Sequence, residues 1–215
     1  MPTDPGTDAD AVIWCDFGGV LTPPMNTAMD AIVAASGVPW PVLAAAAETV
    51  AADEGLRGFA PLELGLLSQA EWGRRLTAAL PTDVRPRVDL RDWDRYWYRD
   101  RPLNHTLVEE LRRLRQRGLR IGLLTNSVLE WEPHRDRMLA GIDIFIQVVR
   151  SHQLGIAKPD PRIYEHAARV LETRGDILLI DDLAQNCRAA EQHGWAAIKH
   201  RDNPTTIDAL RSRFG

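Results

Sequence analysis

Carboxylate side chains follow two short apolar segments of the sequence. Asp16 comes directly after residues 11–15, and Asp181 and Asp182 come directly after residues 177–180. Short apolar runs that end in polar residues are typical of buried strands, and ligands of parallel sheets bind beyond the carboxyl ends of the strands. Three neighbouring carboxylates repel each other unless a cation neutralises them, and oxygen ligands suit Mg²⁺ better than Zn²⁺. The sequence therefore predicts a magnesium site.

A hydroxyl, an amide and a lysine join these acids. Thr125 and Asn126 follow a predicted strand at residues 120–124, and Lys158 lies in a loop before a predicted helix. Only two of the 26 basic residues are lysines, so a lysine at this position is unexpected by chance. An aspartate can attack phosphorus once a metal ion and a lysine screen its repulsion from an anionic substrate. The set is therefore typical of phosphoryl transfer.

Strands and helices alternate through most of the chain, which predicts a doubly wound parallel α/β sheet. The predicted strands are residues 11–15, 120–124, 144–148, 177–180 and 196–199. Residues 23–98 contain alanine-rich helical stretches and no convincing strand, so we expect them to form an inserted helical cap. The α/β core would then comprise residues 11–22 and 99–215, and residues 1–10 would be a flexible tail.

Composition and charge argue against several classes of protein. The 215 residues carry a formal net charge of -4, which does not favour nucleic acid as a partner. No apolar run approaches the roughly 18–20 residues that span a bilayer. Cys15 and Cys187 fit neither a disulfide framework nor a metal motif. We therefore expect a reduced, cytoplasmic protein, a monomer or homodimer, that binds neither nucleic acid nor a membrane.

Four segments of the sequence resemble, in order, the four motifs of the haloacid dehalogenase superfamily. They are residues 16–21 (DFGGVL), residues 123–126 (LLTN), residues 158–159 (KP) and residues 180–182 (IDD) with Asn186. Each motif is weak by itself, but four in order at plausible spacing are specific, and the resemblance covers about residues 11–200. A cap inserted between the first two motifs is typical of one subclass. Within the superfamily the chain looks most like glucose 1-phosphate phosphatases and the phosphatase domain of soluble epoxide hydrolases.

The resemblance implies a role for each motif residue that contacts substrate. Asp16 would be the nucleophile of a phosphatase that works through a phospho-aspartate intermediate. Thr125 and the amide of Asn126 would bind the oxygens of the transferred phosphoryl group. Lys158 would bridge the nucleophile and the phosphate. The substrate would be a small phosphorylated metabolite, such as a sugar phosphate.

The resemblance also implies which residues hold the metal ion. Asp182, assisted by Asp181, would bind Mg²⁺ together with Asp16 and the carbonyl oxygen of Gly18. Asn186 would hold the fourth motif in place as a structural residue.

One residue departs from the family pattern, because Gly18 stands where the usual phosphatase has a second aspartate. That aspartate protonates the leaving oxygen and later activates water, and such assistance is typically worth about 10² to 10⁴ in rate. We therefore expect slow turnover that favours good leaving groups, unless a cap residue such as Glu63 supplies the proton.

Two other functions remain open at this stage. A binding protein that has lost catalysis would also explain Gly18, whereas a 2-haloacid dehalogenase would not need the acid pair at 181 and 182. The cap is rich in aromatic residues, which we expect to form its core, with a role in a substrate pocket as the alternative. These residues are Trp93, Tyr96, Trp97 and Tyr98.

Overall fold

Five parallel strands form the central sheet of the protein. The structure is a computed structural model, and it describes residues 10–173 and 175–215. The spatial order of the strands is β3-β2-β1-β4-β5. Their bounds are Val12–Cys15 (β1), Arg120–Thr125 (β2), Gln147–Arg150 (β3), Ile177–Asp181 (β4) and Ala196–Lys199 (β5). Strand order reverses on either side of β1, which is the place where a doubly wound sheet forms its ligand crevice.

The strands are buried on both faces, as the apolar sequence of β1 predicts. Ile13 and Cys15 pack on one face, and Val12 and Trp14 pack on the other. Helices at residues 105–116 and 203–214 contribute residues to the first cluster, and helices at residues 161–170 and 184–192 contribute residues to the second. Helices therefore cover both faces, and the doubly wound α/β fold is confirmed.

The helices of the α/β core have these bounds: His105–Gln116 (α6), Glu132–Met138 (α7), Ser151–Leu154 (α8), Pro161–Val170 (α9), Ala184–Gln192 (α10) and Asn203–Phe214 (α11). Asp160 caps α9 by accepting a hydrogen bond from the Arg162 N–H at 2.9 Å. Ser68 likewise caps the helix that begins at residue 69, since Ser68 Oγ accepts a hydrogen bond from the Glu71 N–H at 3.2 Å.

Between β1 and α6, the described residues form helices and loops without a strand. The helices are Met25–Ser36 (α1), Trp40–Asp53 (α2), Ala60–Glu63 (α3), Gln69–Ala79 (α4) and Trp93–Trp97 (α5). They share an apolar cluster of their own, built around Trp72 and Trp93, which also takes in Val128 and Trp131 from the loop after β2. We call residues 23–98 the helical cap, and these exact bounds stay a prediction. Within the described residues, no single helix has the length and apolar character to cross a membrane, although α1 and α2 together pass that test across a bend of 101°.

Several elements differ from those expected. The strand predicted at residues 144–148 is wrong at its start, because Ile144 is a buried loop residue and the strand that pairs with β2 runs over Gln147–Arg150. Apolar character alone did not separate a buried loop from a strand. Sequence patterns also missed α3, α7, α8 and α11. The tail expected over residues 1–10 lies outside the described residues, apart from residue 10.

Candidate active site

The first strand positions Asp16 at the centre of the sheet edge. The Asp16 N–H donates to the Ile180 carbonyl of β4 at 2.9 Å, and the residue is 8% exposed. The chain then turns at Gly19, whose φ is +78°. A Cβ atom at position 19 would lie 2.2 Å from Oδ2 of Asp182, so glycine allows that carboxylate to approach the loop. At Gly18, in contrast, a Cβ atom would meet nothing within 4 Å.

The fourth strand ends in Asp181, whose carboxylate is fully buried. Its Oδ1 accepts from the Leu183 N–H at 2.9 Å and from Asn186 Nδ2 at 3.0 Å. Its Oδ2 accepts from Lys158 Nζ at 2.6 Å. Both oxygens of Asp181 thus have protein partners, and Asn186 Nδ2 contacts both of them. The role of Asn186 as a structural residue of the fourth motif stays a prediction.

Lys158 connects the ends of three strands. Its Nζ lies 2.9 Å from Asp16 Oδ1, 2.6 Å from Asp181 Oδ2 and 2.8 Å from the Leu124 carbonyl oxygen. An ammonium group has three N–H donors, so these acceptors use all of them. Burial lowers the pKa of Lys158, but the two carboxylates outweigh burial and raise that pKa above its ordinary value. Lys158 is therefore a fixed positive charge beside Asp16, and its expected bridge to phosphate stays a prediction.

Two carboxyl groups of this site have raised pKa values. Burial raises the pKa of Asp16 to about 7, with a contribution from Asp181 and against the opposing effect of Lys158. Burial also raises the pKa of Asp182 to about 6, again with a contribution from Asp181. The folded protein without a bound cation therefore binds protons here near neutral pH.

The acids at 16, 181 and 182 fit a metal ion. One ligand oxygen from each lies within 4.8 Å of the others. The donors are all oxygen, which is the ligand type that Mg²⁺ prefers. In the described part of the chain, the buried Oδ1 of Asn186 has no hydrogen-bond partner, and this residue lines the same cavity as Asp16 and Asp182. A divalent cation and the ammonium group of Lys158 would together balance the charge of these three carboxylates.

The second motif contacts the third through its amide side chain. Asn126 Oδ1 accepts from the Lys158 N–H at 2.8 Å, and Asn126 Nδ2 donates to the Lys158 carbonyl at 3.0 Å. The same Nδ2 lies 3.3 Å from Glu63 Oε2 of the helical cap. Thr125 is buried, and its Oγ1 donates to the Asn126 carbonyl at 3.1 Å. The phosphate-binding roles of Thr125 and Asn126 stay predictions.

A cavity opens over Asp16 between the core and the cap. Its free volume is about 730 Å³, including the mouth that opens to solvent. Asp16, Lys158 and Asn126 lie at the core end. The rest of the wall is mainly apolar and aromatic, and it includes Met25, Phe59, Trp97, Tyr98, Val128 and Trp131. All four aromatic residues at positions 93–98 pack in or against the cap cluster, and Trp97 and Tyr98 also line the cavity, whereas Trp93 and Tyr96 do not.

Sequence reasoning missed Arg135 on α7, which also lines the cavity. Its side chain is buried and its guanidinium lies 5.4 Å from the centre of the Phe17 ring. Arg135 Nη1 pairs with Glu132 at 2.8 Å, while its Nε is buried without a partner among the described residues. The only signal in the sequence was the i,i+3 spacing of Glu132 and Arg135, which is common on solvent-exposed helices.

The comparisons with known proteins agree with the fold and with the family that the motifs resemble. A family model for haloacid dehalogenase-like hydrolases matches residues 10–194, so the chain belongs to that family and is a hydrolase. The resemblance inferred from the four motifs is thereby confirmed.

Curated relatives include phosphatases. A stretch of 89 residues is 36% identical to Phosphatase MT3486 of Mycobacterium tuberculosis, covering 40% of this chain and 41% of the relative. A stretch of 120 residues is 25% identical to Bifunctional epoxide hydrolase 2 of Rattus norvegicus, covering 54% of this chain and 22% of the relative. The matched regions thus span less than half of the relatives' own lengths.

Solved structures share the fold over most of both chains. A haloacid dehalogenase family enzyme from Bacteroides thetaiotaomicron, solved with magnesium and inorganic phosphate, has a TM-score of 0.63 at 18% identity and covers 89% of this chain and 94% of its own. A 2-haloacid dehalogenase from Pseudomonas syringae has a TM-score of 0.65 at 16% identity and covers 95% of this chain and 99% of its own. At these identities the likeness concerns the fold.

Proposed function

We propose that the protein is a magnesium-dependent phosphatase that hydrolyses a small phosphate monoester through a phospho-Asp16 intermediate. The observation that carries this proposal is the contact of 2.9 Å between Lys158 Nζ and Asp16 Oδ1 beside two further carboxylates. A cation-neutralised aspartate at the floor of a cavity suits attack on an anionic ester.

In the first step, an oxygen of Asp16 attacks phosphorus while the bond between phosphorus and the ester oxygen breaks. The ester oxygen takes one proton from water or from an acid of the cavity and leaves as the alcohol, and the phosphoryl group stays on Asp16. In the second step, water attacks phosphorus, the bond to Asp16 breaks, and inorganic phosphate leaves. Lys158 holds the Asp16 carboxylate in position and offsets part of the negative charge throughout.

Asp16, Asp182 and the carbonyl oxygen of Gly18 would hold Mg²⁺, with Asp181 contributing to the site mainly through its charge. The bound ion supplies positive charge that neutralises the carboxylates and the phosphoryl oxygens. Asp181 acts as a positioning residue, because both of its oxygens already accept hydrogen bonds, from Lys158, Asn186 and Leu183.

The cavity wall supports a substrate with an apolar or ring-shaped body. Phe59, Trp97, Tyr98 and Trp131 surround the space beyond the phosphate end. Aromatic side chains stack on rings and bury apolar area at little conformational cost. A sugar phosphate, which the family resemblance implies, would present one apolar ring face to this wall, and an apolar alcohol phosphate would use more of it. We expect glucose 1-phosphate to be a poorer substrate than benzyl phosphate.

A second candidate function is a phosphometabolite-binding protein without turnover. Gly18 favours this alternative, since it removes the usual acid and base from the first motif. The same cavity, lysine and carboxylates would then bind a ligand and Mg²⁺ without cleaving it.

Release of phosphate from p-nitrophenyl phosphate separates the two functions. The phosphatase predicts turnover with Mg²⁺ that EDTA abolishes and that Asp16→Asn abolishes. Asp53→Asn, at an exposed position of α2, is the matched control and should retain wild-type activity. Saturable binding of benzyl phosphate without release of phosphate would instead support the binding protein.

A further inference from the structure

Glu63 places a carboxyl group in the cavity. The two proposed steps of phosphate hydrolysis assign no role to this group. Among the described residues, the carboxylates that line the cavity are those of Asp16, Asp182 and Glu63. The first is the proposed nucleophile and the second a proposed metal ligand. An acid and base for the reaction is still required, because Gly18 carries no side chain.

Contacts between the cap and the core fix the position of Glu63. It is the last residue of α3, and its carbonyl oxygen accepts a hydrogen bond from Ser151 Oγ at 2.5 Å. Gly65, two residues later, packs so closely on α8 that a Cβ atom there would lie 2.9 Å from the His152 carbonyl oxygen. The backbone on both sides of the Glu63 side chain is therefore held against the core.

The carboxyl group of Glu63 is close to the reacting groups. Its Oε2 lies 3.3 Å from Asn126 Nδ2, and that amide is bonded to the backbone of Lys158. Lys158 Nζ in turn contacts Asp16. Glu63 thus lines the same cavity as the nucleophile and belongs to the cap, the side on which we place the alcohol part of a substrate.

The surroundings of Glu63 favour its protonated form. Burial raises the pKa of Glu63 above its usual range, against the opposing effects of Lys158, the hydrogen bond from Asn126 and Arg135. The other charged groups that line the cavity are Asp16, Asp182 and Arg101, and His152 lies on the adjoining helix α8. A carboxylic acid whose pKa is raised by burial is better suited to hold a proton and give it to a leaving group.

We propose that Glu63 is the general acid and base of this enzyme, supplied by the cap in place of the missing aspartate. As the bond from phosphorus to the ester oxygen breaks and the bond to Asp16 forms, Glu63 gives its proton to the ester oxygen and the alcohol leaves neutral. The Glu63 carboxylate then takes a proton from the water that attacks phosphorus. This step returns Asp16 as a carboxylate and Glu63 as an acid. The proposal rests on the proposed phosphatase function.

The Glu63→Gln variant tests this role, because the loss of rate should depend on the leaving group of the substrate. Protonation matters for the poorly acidic alcohol of benzyl phosphate and much less for p-nitrophenyl phosphate, whose phenol leaves readily as an anion. The kcat/KM value reports the step that releases the alcohol. We expect Glu63→Gln to lower kcat/KM about 10²-fold or more on benzyl phosphate and less than about tenfold on p-nitrophenyl phosphate. Glu48→Gln, at an exposed glutamate of α2, should leave both values unchanged.

The same experiment separates this inference from the phosphatase function. If Glu63 merely held the cap on the core, Glu63→Gln would lower kcat/KM equally on both substrates, and the inference would be overturned while the phosphatase stands. No release of phosphate by the wild-type protein from either substrate would overturn both.

A measurement on the wild-type protein avoids any folding defect of the variant. The measured quantity is the ratio of kcat/KM on benzyl phosphate to kcat/KM on p-nitrophenyl phosphate. Ionisation of groups that act on both substrates, including Asp16 and Asp182, changes both values by the same factor and leaves this ratio unchanged. We expect this ratio to fall as the pH rises through the raised pKa of Glu63. A ratio that is constant with pH would contradict the role of Glu63 as the acid.

Discussion

Lys158 and Asp16 form a buried ion pair in which Nζ and Oδ1 are 2.9 Å apart. The lysine side chain is 1% exposed, and Asp181 shares it at 2.6 Å. A buried charge of this kind is costly unless it is paired and hydrogen-bonded, and all three of its donors have acceptors here. The pair therefore serves both the stability of the sheet edge and the charge of the nucleophile.

Replacing Lys158 with methionine is expected to destabilise the protein and abolish turnover. The change leaves Asp16 and Asp181 buried without their cation, which typically costs about 3–5 kcal/mol. Chemical denaturation measures this loss. Lys199→Met removes the only other lysine, which is exposed at the end of β5, and should cost less than about 0.5 kcal/mol. Equal losses in the two variants would contradict the structural role of the ion pair.

The metal-free protein is expected to lose stability as the pH rises from about 4 to about 7. Asp16 and Asp182 have folded-state pKa values of about 7 and about 6, above the unfolded value of about 3.9. A group with a raised folded-state pKa stabilises the fold fully below its unfolded pKa, and this contribution is lost as the pH rises through the folded pKa. Urea unfolding at a series of pH values in EDTA measures the effect.

Mg²⁺ is expected to raise Tm more at about pH 8 than at about pH 5.5, because the ion must displace the protons from Asp16 and Asp182 at the lower pH. Asp182→Asn should remove most of the increase at the higher pH. An increase that does not vary with pH, or that survives in Asp182→Asn, would show that the ion binds elsewhere.

Gly18 and Gly19 are expected to respond differently to alanine. At Gly19, φ is +78° and the new Cβ atom would lie 2.2 Å from Asp182 Oδ2, so we expect a loss of stability of at least about 1–2 kcal/mol and weaker Mg²⁺ binding. At Gly18 the new atom would meet nothing within 4 Å, and we expect wild-type stability. Thermal unfolding and Mg²⁺ titration of the two variants compare them directly. A more disruptive change at 18 than at 19 would refute this geometry.

Gly18→Asp is expected to have little effect alone and a large effect in the absence of Glu63. A Cβ atom at position 18 would meet nothing within 4 Å, and an aspartate there would restore the acid that the family usually has in its first motif. When Gly18→Asp is added to Glu63→Gln, kcat/KM on benzyl phosphate should be at least about tenfold higher than in Glu63→Gln alone, a gain within the range of general acid catalysis. A large gain from Gly18→Asp in the wild-type background would indicate that Glu63 does not already supply the proton.

The sequence predicts the residues at the sheet edge well, because the position of each of these residues depends on a local sequence pattern. Asp16, Thr125 and Asp181 each end or follow an apolar strand, and parallel pairing brings such ends together whatever the loops do. The strand at 147 was misplaced because buried loops and strands have the same apolar content. The departure at Gly18 was also visible in the sequence.

The cavity wall depends on contacts between distant parts of the chain. Glu63 and Asn126 are 63 positions apart, and no local pattern indicates that their side chains lie 3.3 Å from each other. Arg135 lies on a short helix whose charged residues resemble an ordinary solvated face. The packing of the cap against the loops after β2 and β3 determines these positions, and only the tertiary structure reports it.

Chemical trapping of the intermediate tests the central claim, the transfer of a phosphoryl group to Asp16. The wild-type protein would be mixed with Mg²⁺ and p-nitrophenyl phosphate, quenched in acid and reduced with borohydride, which converts an aspartyl phosphate to homoserine. Mass spectrometry of the peptide that contains position 16 should then find homoserine at this residue and not at Asp181 or Asp182. Release of phosphate with an unmodified Asp16 in every quenched sample would contradict the account.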